Sequence, residues 1–279
     1  MITCDLRGGL GNQLFQIFTT IAYALEHSCT FNFLNSETLG GGTSTKRATY
    51  WNSFLKTLKF FLLEKLPEDI IRINEDGFQY MHLPHPPVGA DVMLFGYFQS
   101  YKYFDKVKET LFRLIRLEEH KNDSKYAVYK DNDYISMHFR IGDYKHLGHF
   151  HPIMNVEYYQ KALSHVVKTS NKNSDYRVLY FCEDDDLSDV IVTITSLKNM
   201  FPDCSFERAP ANFVDWEQLI LMSCCQHNII ANSSFSWFGA YFNQNKDKIV
   251  CYPSLWFCGH GAHIVTDDLF PGDWIKIVS

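Results

Sequence analysis

Arg140, Gly142 and Asp143 stand together at the end of an apolar run, Tyr134-Ile-Ser-Met-His-Phe-Arg-Ile-Gly-Asp-Tyr144, with His138 just ahead of them. A guanidinium that stays charged, delivered where a glycine turns the backbone, suits recognition of a phosphate or carboxylate. A carboxylate three residues on can take a proton from a nucleophile. The same residues also fit a plain surface ion pair beside a turn glycine.

Four other stretches carry residues of chemical interest. Asn232-Ser-Ser-Phe-Ser236 follows a buried-strand run and precedes an apolar helix, so hydroxyls, an amide and free N–H groups collect at a helix N-terminus. A simple Ser N-cap accounts for one of these side chains, not four. Arg7-Gly-Gly-Leu-Gly-Asn-Gln13 lies between a strand and a helix, where Gly9, Gly11, Asn12 and Gln13 can present donors to an anion or a sugar hydroxyl. It is not a dinucleotide fingerprint, because Leu14 occupies the place of the third glycine; a tight strand-to-helix turn is the other reading. Glu183-Asp-Asp-Asp186 ends a strand and admits three readings: a helix start, contacts from Glu183 and Asp184 to the donors of a base, or a divalent cation held by Asp184 and Asp186. His146, His149 and His151 are close together, but their spacing matches no common metal site, and a proton carrier or substrate contact at a cleft suits them better.

The elements that position these groups follow from hydrophobic period and punctuation. Strands are expected at Ile2–Leu6, 31–34, the start of 92–100 (with a turn carrying Tyr97, Gln99 and Ser100 after it), 177–182, 228–231 and 248–252, and helices at 14–25, 103–117, 155–168, 215–225 and after Ser236. Residues 37–50 read as an exposed loop, Leu58–Leu63 as core, and His82–Pro87 as a connection that prolines keep from being a helix. Strand, glycine loop and helix, then alternating elements twice over, predict an α/β protein of two Rossmann-like doubly wound domains facing a cleft. The polar shift at Lys121–Lys130 sets the expected boundary near 124, with residues 1–124 as one domain and 125–279 as the other.

Composition narrows the classes. The 279 residues are 46% apolar with a net charge of −6, which excludes the broad basic footprint of a nucleic-acid binder. A first strand starting at Ile2 leaves no room for a secretion signal, and no run reaches membrane-span length, so a soluble cytoplasmic protein is expected. Eight cysteines without a CxxC pair are read as reduced thiols.

RGGLGNQLFQ near the start, GYFQSYKYF in the middle, then HFRIGDY, EYYQKAL and NIIANSSFSWFGAY come in one order. Together they resemble the α-1,2-fucosyltransferases of glycosyltransferase family 11, over residues 5 to about 257. The resemblance implies a GT-B architecture of bacterial or viral type, and inverting, metal-independent transfer of L-fucose from GDP-fucose to a glycan hydroxyl, galactose O2 being the expected one. Residues 1–124 then form the acceptor side with the glycine loop, and residues 125–279 the nucleotide-sugar side. Arg140 matches the first arginine of an HxRRGD motif, which holds the donor diphosphate, with His138 beside it and Asp143 as the motif's acid. Asn232, Ser233, Ser234, Phe235 and Ser236 match the donor-lining segment, and Gly9, Gly11, Asn12 and Gln13 the loop that faces it. His149, His151 and Gln99 are the candidate acceptor contacts. The motif's second arginine is Ile141 here, and Trp237-Phe238 replaces a common Trp-Trp pair. Two alternatives remain: a metal-dependent transferase of another nucleotide sugar, and a nucleotide- or carbohydrate-binding module without turnover.

Overall fold

The computed structural model describes residues 1–40, 46–130, 133–170 and 176–279. The expected loop at 37–50 therefore lies partly outside the described residues. By internal contacts the chain forms two units, Met1–Glu118 with Val265–Pro271, and Glu119–Ile264 with Gly272–Ser279. The short segment 265–271 thus belongs with the first unit, although the chain has by then completed most of the second.

In the first unit, β1 (Ile2–Cys4) runs into α1 (Leu10–Glu26), which is buried nearly all round, its polar Gln13, Gln16, Thr19 and Thr20 included. Next come β2 (Phe33–Leu34), β3 (Thr38–Leu39), β4 (Arg47–Ala48), β5 (Leu62–Leu63), β6 (Ile70–Asn74) and β7 (Asp91–Phe95). The parallel sheet has the order β1-β7-β6; β2 pairs with β5, and β3 with β4 forms a small antiparallel hairpin inside the expected loop. The expected helix at 103–117 is observed as two tight turns followed by α2 (Lys108–Leu114), and Arg116 at φ +52° takes the left-handed conformation that stops α2 there. Leu58 alone of residues 58–63 is buried; Phe60 is 91% exposed, which corrects the expectation of a core segment there.

The second unit holds the larger sheet. After α3 (Leu117–Lys121) and α4 (Ala127–Lys130) come β8 (Tyr134–His138), α5 (Val156–Thr169), β9 (Tyr176–Phe181), α6 (Leu187–Met200) and β10 (Cys204–Arg208). Then follow α7 (Asp215–Cys224), β11 (His227–Ile229), α8 (Ser234–Tyr241), β12 (Val250–Pro253) and β13 (Ile275–Ile277). All six strands are parallel in the order β10-β9-β8-β11-β12-β13, so the sheet starts at its centre, grows to one side, then returns and grows to the other. Right-handed crossovers send helices to opposite faces when the direction of growth reverses. Accordingly Ile135 and Met137 pack beneath Tyr158, Tyr159, Ala162 and Leu163 of α5 and Val190, Ile194 and Leu197 of α6. The residues between them, Ser136 and His138, face the side of α7 and α8, where Asn228 Nδ2 donates to Ser136 Oγ at 2.7 Å.

Local signals explain α5 well. Asn155 Oδ1 accepts the Tyr158 amide at 3.0 Å as the N-cap, and the buried positions recur at helical spacing. The eight cysteines are all free thiols. No described helix is long and apolar enough to cross a membrane.

Candidate active site

The direction of sheet growth reverses between β8 and β11, and in open parallel sheets a crevice opens at that point, beyond the strands' carboxyl ends. The loop after β8 and the N-terminus of α8 both lie there. Phe139 extends the pairing of β8, its amide donating to Phe181 O at 2.8 Å, and the chain then leaves the sheet at Arg140. Gly142 turns it at φ +21°, and a Cβ there would come within 2.9 Å of Glu183 Oε2. Its amide donates to Asp186 Oδ2 at 2.6 Å, while Asp186 Oδ1 pairs with Lys145 at 3.0 Å. Asp186 is 2% exposed, so one buried carboxylate fixes the turn that carries Arg140.

The guanidinium of Arg140 is bracketed by acids. One terminal nitrogen donates to Glu183 Oε1 at 2.5 Å and the other to Asp143 Oδ1 at 2.6 Å. Its central carbon lies 5.2 Å from the ring centre of Tyr144, and His151 stacks on that ring at 4.5 Å with an interplanar angle of 11°. Tyr144 then donates its hydroxyl to Asn232 O at 3.0 Å, joining the loop after β8 to the loop after β11. Burial pushes the His151 imidazole below its ordinary pKa.

His138 ends β8 with its ring 5.5 Å from Phe235 and its carbonyl accepting from Tyr159 Oη at 3.0 Å. Burial, followed by the charge of Arg140, pushes its pKa down to about 3, so the ring is neutral at physiological pH. Ser233 caps α8 by accepting the Phe235 amide at 3.3 Å, and Ser236 Oγ donates to Ser233 O at 3.4 Å. Asn232 is 1% exposed and spends its Nδ2 on Pro152 O and Trp256 O, so this side chain ties loops together. Its Oδ1 is buried without a hydrogen-bond partner.

Asp184 pairs with Arg208 at the end of β10, and the two border a pocket also lined by Tyr180, Cys182, Glu183 and Gln218. The two aspartates named for a cation are therefore engaged separately: Asp184 by Arg208, and Asp186 by an amide and Lys145. His149 meets the turn at 258–261, its carbonyl accepting from His260 N at 2.9 Å and its ring 5.5 Å from that of His260.

In the first unit Gly9 opens α1 without a side-chain cap. Gly8 is at φ +75°, and a Cβ on it would collide with Asn12 Nδ2 at 2.5 Å. Gln13 donates to Gly8 O and Ala48 O, Gln16 accepts from Arg7 N at 2.9 Å and donates to Arg7 O, and Gln99 Nε2 donates to Asn12 Oδ1 at 2.9 Å. Gln13, 1% exposed, is thus a brace for the glycine loop rather than a surface donor. Sequence reasoning missed Gly8, Gln16, Arg208 and Gln218, and gave Asp186 a different role. Gln16 and Gln218 look like ordinary helix residues, and Arg208 ends a strand, β10, that its sequence does not announce.

A doubly wound parallel sheet with an arginine and a helix N-terminus at its switch point, together with a separate unit built on a parallel sheet, gives a fold of the GT-B type. The solved structure of Escherichia coli ADP-heptose LPS heptosyltransferase II superposes with a TM-score of 0.51 at 11% identity, covering 99% of this chain and 89% of that one. The profile of Glycosyl transferase family 11 matches residues 1–277, and the chain belongs to that family. It is 29% identical over 198 residues to the O-antigen biosynthesis glycosyltransferase WbnK of Escherichia coli, covering 66% of this chain and 60% of that protein's length. It is also 25% identical over 298 aligned positions to an alpha-1,2-colitosyltransferase of Escherichia coli, with 99% of each covered.

Proposed function

We propose that this chain transfers L-fucose from GDP-fucose to a glycan hydroxyl, galactose O2 in the first instance, with inversion and without a metal. The observation that carries the reading is the position of Arg140, delivered by β8 to the switch point where the Ser233-capped N-terminus of α8 also opens. When the anomeric C–O bond breaks, the electron pair leaves with the diphosphate. Fixed donors must take up that charge as it develops, and a guanidinium with helix-terminal amides supplies them. The pocket of Tyr180, Arg208 and Gln218 next to Glu183 has room and polarity for the nucleoside end of the donor.

The acceptor oxygen attacks C1 from the face opposite the leaving group, and its proton goes to Asp143, whose side chain is 44% exposed beside Arg140. The layered Tyr144–His151 pair backs this group, with His151 as the second candidate for the proton. Gly9, Gly11 and Asn12 present main-chain and side-chain donors at the N-terminus of α1. A second reading, transfer of colitose, is supported by the relative named as a colitosyltransferase and by Ile141 in place of the second arginine.

Incubation with GDP-fucose and a galactoside in EDTA tests the proposal through released GDP and fucosylated product. Product formation that EDTA leaves unchanged is the expected result. Turnover only with the colitosyl nucleotide favours the second reading, GDP binding without transfer favours a non-catalytic module, and activity that returns only with added Mn²⁺ or Mg²⁺ contradicts the metal-free reading.

A further inference from the structure

Phe60 stands almost free of the protein, at 91% exposure, in the middle of Lys56-Thr-Leu-Lys-Phe-Phe-Leu-Leu-Glu-Lys65. Apolar neighbours surround its base. Phe61 packs on Phe31 with ring centres 4.4 Å apart, and β2 pairs with β5 so that Leu34, 41% exposed, sits in register with Leu63. Scattered exposed apolar residues are ordinary, but a projecting aromatic on a continuous apolar strip is not.

The charge around the strip is one-sided. Residues 46–65 hold Lys46, Arg47, Lys56, Lys59 and Lys65 against one acid, Glu64, in a chain whose net charge is −6. Glu64 accepts from Asn35 Nδ2 at 2.7 Å, and Lys65 pairs with Glu68. Lys56 and Lys59, both exposed, precede Phe60 in the same short segment and have no ion pair among the described residues. Thr57 Oγ1 donates to Leu114 O, which anchors this segment on the end of α2, so the aromatic is held out from a fixed base.

We infer that Phe60, Lys56 and Lys59 dock the first unit on an anionic lipid surface. A protein partner needs a shaped counter-surface and a broad buried area, whereas Phe60 offers a single projecting ring. A bilayer interface accepts a lone aromatic at the headgroup level and draws adjacent lysines to its negative potential.

The test is co-sedimentation of the full chain with phosphatidylcholine vesicles, with and without phosphatidylglycerol. The wild type is expected to partition onto the anionic vesicles and to be released by salt. Phe60→Ser should lower the partition coefficient by about tenfold, and Lys56→Glu with Lys59→Glu by more than that, since about fivefold is lost per neutralised lysine near an anionic surface. Both variants should melt as the wild type does, because all three side chains are exposed. Partition that both variants retain overturns the inference. So does an absence of partition by the wild type, and retention on polyglutamate without binding to vesicles assigns the patch to an acidic protein instead.

Discussion

At the scale of single residues, each terminal nitrogen of Arg140 donates to a carboxylate, one to Glu183 and the other to Asp143. In the proposed reaction a diphosphate competes with these two carboxylates for the guanidinium, and Glu183, 59% exposed at the side chain, is the freer of the two. Glu183→Gln removes the competing charge, so GDP should bind several-fold more tightly to the variant in titration calorimetry. Weaker binding would show instead that Glu183 contacts the donor. Asp143→Asn should bind GDP as the wild type does and fail in transfer; loss of both together would mark the residue as structural. His138 gives a pH signature. Its folded pKa of about 3 lies below the ordinary 6.5, so as the pH falls below 6.5 the unfolded chain takes up a proton that the folded ring refuses until about pH 3. Stability from this residue is complete above pH 6.5 and falls as the pH drops through that window, by about 2 kcal/mol between pH 7 and pH 5. Melting curves of His138→Phe should lack that component; an unchanged pH dependence would place the drop elsewhere.

At the scale of elements, the turn after β8 depends on a residue in another loop. Asp186 lies 44 residues on in the chain and holds Gly142 N and Lys145 at once. Removing that carboxylate leaves a buried amide without a partner, so Asp186→Ala should cost about 2 kcal/mol in denaturant unfolding. It should also slow transfer by loosening Arg140. A variant that is destabilised but fully active would show that Arg140 holds its place by other means. The elements with strong local signals were legible in the sequence: α5 from its Asn155 cap and apolar stripe, β8 and β9 from their apolar runs, and α8 from the small polar residues ahead of it. β6, β10 and β13 were not. They lie at sheet edges, and alternating exposure in β10 (Cys204–Arg208) gives no continuous apolar run to read. Phe60 failed for the opposite reason, since hydrophobicity alone does not say on which side of the surface a residue lies.

At the scale of the whole molecule, the strand order of the second unit explains why residues far apart in sequence share one site. Arg140 and Asn232 end neighbouring central strands, Asp184 and Arg208 end the next two, and only the parallel sheet brings them to one edge. That arrangement of Arg140, Asp143 and the Asn232–Ser236 segment was readable because each lies in a contiguous motif. The pocket beyond Glu183 was not, because Arg208 and Gln218 come from elements that carry no motif. Calorimetric titration of GDP in EDTA against the wild type and Arg140→Ala tests the account most directly. The wild type should bind without any added metal, and the variant should bind at least about a hundredfold more weakly, as loss of a charge-assisted bidentate contact requires, with an unchanged melting temperature. Binding by Arg140→Ala within about threefold of the wild type, or binding by the wild type only when a divalent cation is supplied, would contradict it.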